Sequence, residues 1–153
     1  MFDIISILKD ELPRFKKVLE LGSKKGEDLK TLDGYYEVIA SENEKVKTRY
    51  LKDEFIDIRV ILLDVITVDT HKKVDCIYSK NSFDSFDLSQ INESLKNQKK
   101  ILNENGLIFH IFDLEKNDKN EILTLINSDY EIIKSDSNEK QFYVLAKLID
   151  FNQ

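Results

Sequence analysis

Gly22 and Gly26 punctuate the stretch KVLELGSKKGEDL, residues 17 to 29, where an apolar run passes into a polar helix start. Two glycines at a strand-to-helix turn suit a ligand loop: Gly22 permits a tight turn and Gly26 a close approach of helix to sheet, while the free amides of the helix start face the ligand. Glu42 lies twenty residues beyond Gly22, just after the next β-rich run. A carboxylate there can accept hydrogen bonds from the two hydroxyls of an adenosine ribose. The chemistry implied is nucleoside binding at one edge of an α/β sheet. Each residue also has a plainer explanation, since the glycines could serve only the turn and Glu42 could cap a helix beginning at the acidic run Glu42, Asn43, Glu44.

Known nucleotide loops divide on this stretch. The dinucleotide fingerprint GxGxxG, laid on Gly22, requires glycine at Lys24 and Glu27 and fails at both, and the phosphate-cradling GxxxxGK[ST] is absent. Glu27 and Asp28 add negative charge to the first helical turn, where it would compete with a bound phosphate. The pattern acidic-x-GxGxG matches at Glu20, Gly22 and Gly26 and fails at Lys24 alone.

The elements that must position these residues alternate in type. Short β-rich runs fall at Lys17 to Leu21, Tyr36 to Ala40, Ile58 to Leu63, Val74 to Ser79 and Leu107 to Phe112. Polar stretches lie between them, and the clearest helix is Leu88 to Leu102, with Leu88, Ile91, Leu95 and Ile101/Leu102 on one face. Asn103, Asn105 and Gly106 form its expected stop. The connection Asp64 to Lys73 is short and is expected to hold little helix. This βαβαβ order predicts a parallel sheet covered by helices on both faces. A helical stretch at Asn117 to Asn127 precedes two further runs, Tyr130 to Lys134 and Gln141 to Leu148, with the turn-rich Ser135 to Lys140 between them. So short a connection predicts an antiparallel hairpin. The expected fold is an α/β three-layer sandwich with a mostly parallel seven-stranded sheet, in one domain spanning 1–153: an N-terminal helical segment at 1–16 and a core at 17–149.

Composition narrows the function classes. The chain has 153 residues, 41% hydrophobic and 34% charged, with a formal net charge of −6. That balance argues against a nucleic-acid-binding surface. No apolar run approaches the roughly 20 residues needed to span a bilayer, and the N-terminus lacks the marks of a signal peptide, so the expected location is cytoplasmic. The single cysteine, Cys76, sits in an apolar run and is expected to be buried and inert. His110, within LIFHIF, is expected to be a hydrogen-bonded core residue and His71, in THKK, an exposed one. Two distant histidines and one cysteine make no metal cluster.

With these segments in order, the chain resembles the class I S-adenosylmethionine-dependent methyltransferases over nearly all its length. VLELGSKKGEDL resembles the first motif, including Glu20, Gly22, Ser23 and Gly26 as cofactor-loop residues. YEVIASENE resembles the second-strand segment ending in the ribose-binding acid, here Glu42, and VILLDV places Asp64 and Val65 beside the adenine. VDCIYSKNSFDSF resembles the fourth-strand motif, which brings Tyr78 to the cofactor, and LNENGLIFHIF resembles the segment leading into strand five. The resemblance implies S-adenosylmethionine as cofactor and methyl transfer by in-line displacement to a small-molecule acceptor, driven largely by alignment of donor and acceptor. If a general base is used, Asp84 in SFDSF is the candidate, with Tyr78 and Asp87 as alternatives. Asp84 and Asp87 could equally be solvated loop carboxylates.

Lys24 departs from the family where a glycine is usual, and Lys25 follows it. A side chain there could obstruct the methionine moiety, repel the sulfonium, turn outward, or pair with the donor's carboxylate. About sixteen residues precede the first strand, little material for a lid, so a homodimer or partner subunit could complete an open site. Two expectations follow: an active enzyme on a small molecule, or a noncatalytic binding or partner module with a degenerate cofactor loop.

Overall fold

The computed structural model describes residues 1–149. Its elements in chain order are α1 (Ile4–Leu8), β1 (Lys17–Leu21), α2 (Leu29–Asp33), β2 (Glu37–Glu42), α3 (Lys45–Glu54), β3 (Arg59–Leu62), β4 (Val74–Lys80), α4 (Leu88–Lys99), β5 (Leu102–Asp113), α5 (Lys119–Ile126), β6 (Tyr130–Ser137) and β7 (Gln141–Leu148). The strands form one seven-stranded sheet in the order β3-β2-β1-β4-β5-β7-β6. Pairing is parallel from β3 to β5, and β7 runs antiparallel to both β5 and β6. The expected α/β sandwich with a terminal hairpin is the observed architecture.

Alternation along the strands divides the apolar side chains between two cores. Leu19, Leu21, Ile39 and Ile77 pack on one face with Ile91 and Leu95 of α4 and Ile122 and Ile126 of α5. Val18, Val38, Ala40, Cys76 and Tyr78 pack on the other with Leu8, Leu29, Leu32 and Leu51 from α1, α2 and α3. Because β1 and β4 are buried on both faces, apolar residues stand at adjacent positions in them, Val18–Leu19 and Cys76–Ile77–Tyr78, instead of strictly alternating with polar ones. Each fully buried leucine or isoleucine contributes about 1.5–3 kcal/mol over its exposed state.

Several boundaries differ from the sequence reading; strand β6, for one, runs on to Ser137 through half of the expected turn, where Ser135 to Ser137 pair with β7. Helix α1 covers only Ile4–Leu8 of the expected helical segment, and the chain then turns so that the Tyr36 hydroxyl donates to the Leu12 carbonyl at 3.0 Å. Strand β2 runs on to Glu42, which adds Ser41 and Glu42 to its end. Helix α4 stops at Lys99, and β5 begins at Leu102 rather than Leu107. Leu102 pairs with Val74 and Leu107 with Cys76, so five residues of β5 are spent against two of β4. Asn103 to Gly106 therefore bend within the strand instead of preceding it, with Asn105 at φ +63°.

Candidate functional site

The sheet order reverses between β1 and β4, and the crevice at the carboxyl ends of such strands is where open α/β sheets bind ligands. Three residues of the β1–α2 loop have left-handed backbones there: Gly22 at φ +69°, Lys24 at +54° and Gly26 at +85°. A Cβ on Gly22 would lie 2.8 Å from Ser82 Oγ, and one on Gly26 would collide with the Phe55 ring at the end of α3. Both glycines are thus required by the chain's own packing as well as by the turn. Lys24 holds a conformation that glycine adopts without strain, at a cost of about 1–2 kcal/mol for an L-residue.

Glu42 ends β2 beside this loop. The cap position of α3 belongs to Glu44, so capping does not account for Glu42. Its side chain is 5% exposed. Oε2 accepts the Lys24 backbone amide at 2.7 Å, while Oε1 has only the Asn43 amide at 3.3 Å and the Lys47 ammonium at 4.0 Å. Ser23 ties the loop to β2 from the other side: its amide donates to the Ser41 carbonyl at 2.8 Å and its hydroxyl accepts the Ser41 amide at 3.1 Å.

Behind the loop lies a charged cluster. Glu20 pairs in register with Tyr78 across β1 and β4, and period-two alternation puts Lys80 on the same face. The Tyr78 hydroxyl donates to Asp28 Oδ2 at 2.8 Å, and Lys80 Nζ lies 3.1 Å from Asp28 and 3.5 Å from Glu27. Burial works against the Lys80 ammonium, but Asp28 and Glu27 outweigh it and hold its pKa above the ordinary value. Burial pushes the Glu20 carboxyl up to about 8, with Asp28 adding to the rise against a Ser23 hydrogen bond and the Lys80 and Lys24 charges. Glu20 is accordingly neutral at pH 7, and its buried Oε1 has no partner among the described residues. The space these groups enclose is about 20 Å³, room for one water. The Lys24 ammonium donates to the Lys80 carbonyl at 2.9 Å across its edge.

A second, open cavity of about 720 Å³ adjoins the first at Glu27 and Lys80 and continues over Asn81, Asp113 and the β6–β7 turn. Asp84, in the turn after β4, is not one of its lining residues, although it interacts with Asp113, which is. Asp84 Oδ1 is buried without a partner, and burial, reinforced by the charge of Asp113, raises its pKa from the ordinary aspartate value. The alternatives to Asp84 are otherwise engaged. Asp87 caps α4, accepting the Gln90 amide at 2.8 Å and donating its own to Gln90 Oε1 at 3.0 Å. Tyr78 is fully buried, and burial holds its hydroxyl above the ordinary phenol range.

Asp64 and Val65 occupy the turn after β3, apart from this cluster. Asp64 Oδ1 accepts the amides of Ile66 and Thr67 at 2.8 and 2.9 Å, and the Val65 carbonyl accepts Ser94 Oγ at 2.6 Å. That last bond begins a buried chain that sequence reasoning missed. Ser94 donates to Val65, so it can only accept from the Gln98 amide at 3.0 Å. Gln98 Oε1 then faces His110 Nε2 at 2.8 Å, which must carry the proton, and Nδ1 accepts Ser79 Oγ at 2.6 Å. Burial lowers the His110 pKa to about 3, so it stays neutral and belongs to the core. Burial likewise raises the Cys76 thiol, which is inert. Asp28, Lys80 and Asp113 were also missed, although alternation from Tyr78 would have found Lys80.

Glu42 Oε1, weakly engaged at the end of β2, is the group on this edge that could accept ribose hydroxyls. Beside Glu20 the contact of Lys24 with Lys80 leaves about 20 Å³, too little for an amino-acid group as the side chains stand, although the Lys24 backbone has the conformation of a glycine. Among the described residues no cluster of histidine, cysteine or carboxylate could hold a metal, and no helix is long and apolar enough to cross a membrane.

No family model matches this sequence, and no curated protein matches it. Solved structures do match by shape. An S-adenosylmethionine-dependent methyltransferase from Clostridium acetobutylicum superposes with a TM-score of 0.83 at 12% identity, over 96% of this chain and 89% of that one. The N-methyltransferase NodS from Bradyrhizobium japonicum, in complex with S-adenosyl-L-homocysteine, gives 0.80 at 12% identity over 96% and 84%. A SAM-dependent methyltransferase from Aquifex aeolicus gives 0.75 at 18% identity over 97% and 90%. At such identities the likeness is one of fold, and the fold of this chain is that of the class I S-adenosylmethionine-dependent methyltransferases.

Proposed function

We propose that the chain binds S-adenosylmethionine at the carboxyl edge of β1, β2 and β4 and methylates a small-molecule acceptor held in the adjoining open cavity by in-line transfer. The observation that carries this reading is the left-handed loop Gly22, Lys24, Gly26, docked through its Lys24 amide on the ribose-binding candidate Glu42. Glu20, Gly22, Ser23, Gly26 and Glu42 would hold the cofactor, with Asp64, Val65 and Tyr78 shaping its surroundings. The bound cofactor supplies an electrophilic methyl group on a sulfonium. The chain's own part is to orient both molecules and, for a nitrogen or oxygen acceptor, to accept a proton at Asp84, whose raised pKa makes its carboxylate a stronger base. A second copy or a partner subunit would cover the open cavity, and sedimentation at micromolar concentration would detect a dimer.

Calorimetric titration with S-adenosylmethionine and S-adenosylhomocysteine tests the reading. Binding is expected, and Glu42→Ala should weaken it by about 1–3 kcal/mol, as when hydrogen bonds to a charged group are lost. Unchanged affinity in that variant would place the ribose elsewhere. The space of about 20 Å³ behind Lys24 favours a second reading, a noncatalytic module with a closed loop. Absence of binding at millimolar ligand would select it.

A further inference from the structure

We propose that a buried hydrogen-bond chain, Ser79, His110, Gln98 and Ser94, sets the base end of the nucleoside site from inside the core, with Ser94, Gln98 and His110 as positioning residues. The inference rests on the cofactor reading above, in which the turn after β3 lies beside the base. That turn starts next to the ribose candidate: the Leu63 amide donates to the Glu42 carbonyl at 2.9 Å, and Asp64 follows. Its conformation is imposed on it. Val68, β-branched and 3% exposed, is held at φ +46°, and such strain persists only where the surroundings over-determine the backbone.

Helix α4 imposes it. Ser94 Oγ donates to the Val65 carbonyl at 2.6 Å and Asn97 Nδ2 to the Ile66 carbonyl at 2.9 Å, so two successive carbonyls of the turn are tied to one helix. Behind Ser94 the chain admits one proton order. The Val65 carbonyl can only accept, so Ser94 accepts from Gln98, Gln98 from His110 Nε2, and His110 Nδ1 from Ser79. All four side chains are 0% exposed, and a broken link leaves a buried group unsatisfied. The far end is fixed as well. Ser79 pairs in register with Leu21, the last residue before the Gly22 loop, and the Phe83 ring, beside Asp84, meets the His110 ring edge-on at 5.4 Å. Apolar packing between α4 and the sheet is non-directional, whereas this chain sets the turn in one place relative to the loop.

Two ligands separate positioning from mere stability: S-adenosylhomocysteine, and S-ribosylhomocysteine, which keeps the ribose and amino-acid parts and lacks the base. Both are titrated against the unaltered protein, Ser94→Ala and Ile122→Val, a core truncation in α5 outside the chain, and amide exchange is followed at Ile66 and Thr67. The unaltered protein should prefer S-adenosylhomocysteine. In Ser94→Ala that preference should fall by about tenfold, a loss carried by the base alone, and the two amides should exchange faster than those of α5. Ile122→Val should keep both the preference and the slow turn amides. Should Ser94→Ala fold poorly, Asn97→Ala removes the other anchor of the turn and should lower the preference in the same direction. If Ser94→Ala weakens both ligands equally, or leaves the preference and the turn amides unchanged, the chain is structural only; the positioning is overturned and the cofactor reading stands. If neither ligand binds any variant at millimolar concentration, the cofactor reading falls and the positioning falls with it.

Discussion

A carboxyl group that is 3% exposed, with one oxygen unpartnered beside a lysine–aspartate ion pair, titrates with the fold as well as with the solvent. Glu20 keeps its proton to about pH 8 when folded and loses it near the ordinary 4.5 when unfolded. Between those values the native state holds more protons, so the stability from this group is complete below 4.5 and is lost as pH rises through about 8. His110 acts in the opposite sense at lower pH: its native value near 3 lies below the ordinary 6.5, and stability falls as pH drops through that interval. Above pH 6.5 only the Glu20 effect of the two should vary. Urea unfolding from pH 6.5 to 8.5 should show declining stability, and Glu20→Gln should flatten the decline; an unchanged slope would assign it to other groups. Asp84 offers a second measurement at this scale. Since Asp113 adds to the rise that burial causes, Asp113→Asn should lower the pKa of Asp84, read by carboxyl carbon NMR.

At the scale of elements, helix α4 is joined to the sheet by more than apolar contact. Ser94, Gln98, His110 and Ser79 are fully buried and link α4 to β5, β4 and the turn after β3, where Val65 lies. Ser94→Ala removes one hydroxyl and strands two partners, the Gln98 amide and the Val65 carbonyl. It should cost about 1–3 kcal/mol in urea unfolding, well above an ordinary exposed serine substitution. The β1–α2 loop is constrained differently. Gly26→Ala adds a Cβ at φ +85° against the Phe55 ring, so strain and collision coincide. If Phe55 is the obstacle, Phe55→Ala should recover part of the loss in the double variant, which a double-mutant cycle would measure.

For the whole molecule, the two cores share one continuous sheet, and among the described residues every strand except β6 contributes side chains to both. Unfolding one face exposes the other side of the same strands. Far-ultraviolet circular dichroism and tyrosine signals should therefore follow one coincident transition in urea, and separated transitions would show that the faces unfold independently. The fold was largely legible in the sequence because its signals are local. Short β-rich runs with adjacent apolar residues mark strands buried on both faces, helical spacing marks Leu88 onwards, and the brief Ser135 to Lys140 connection forces a hairpin. Asn103 to Gly106 misled because turn residues are equally suited to a bend within a strand, and only pairing with β4 decides between them.

Candidate loop residues were legible for the same reason, since Gly22, Gly26 and Glu42 are set by spacing along the chain. Their partners were not, because they come from distant segments. Sequence by itself determined the strand order's pattern, the loop and the anomaly of Lys24. Tertiary structure alone decided that Lys24 keeps a glycine's backbone, that its ammonium reaches the carbonyl of Lys80, and that Asp87 is a cap while Asp84 keeps a buried, unpaired oxygen. Burial and hydrogen bonding between residues some fifty positions apart are properties of packing, and no local pattern encodes them.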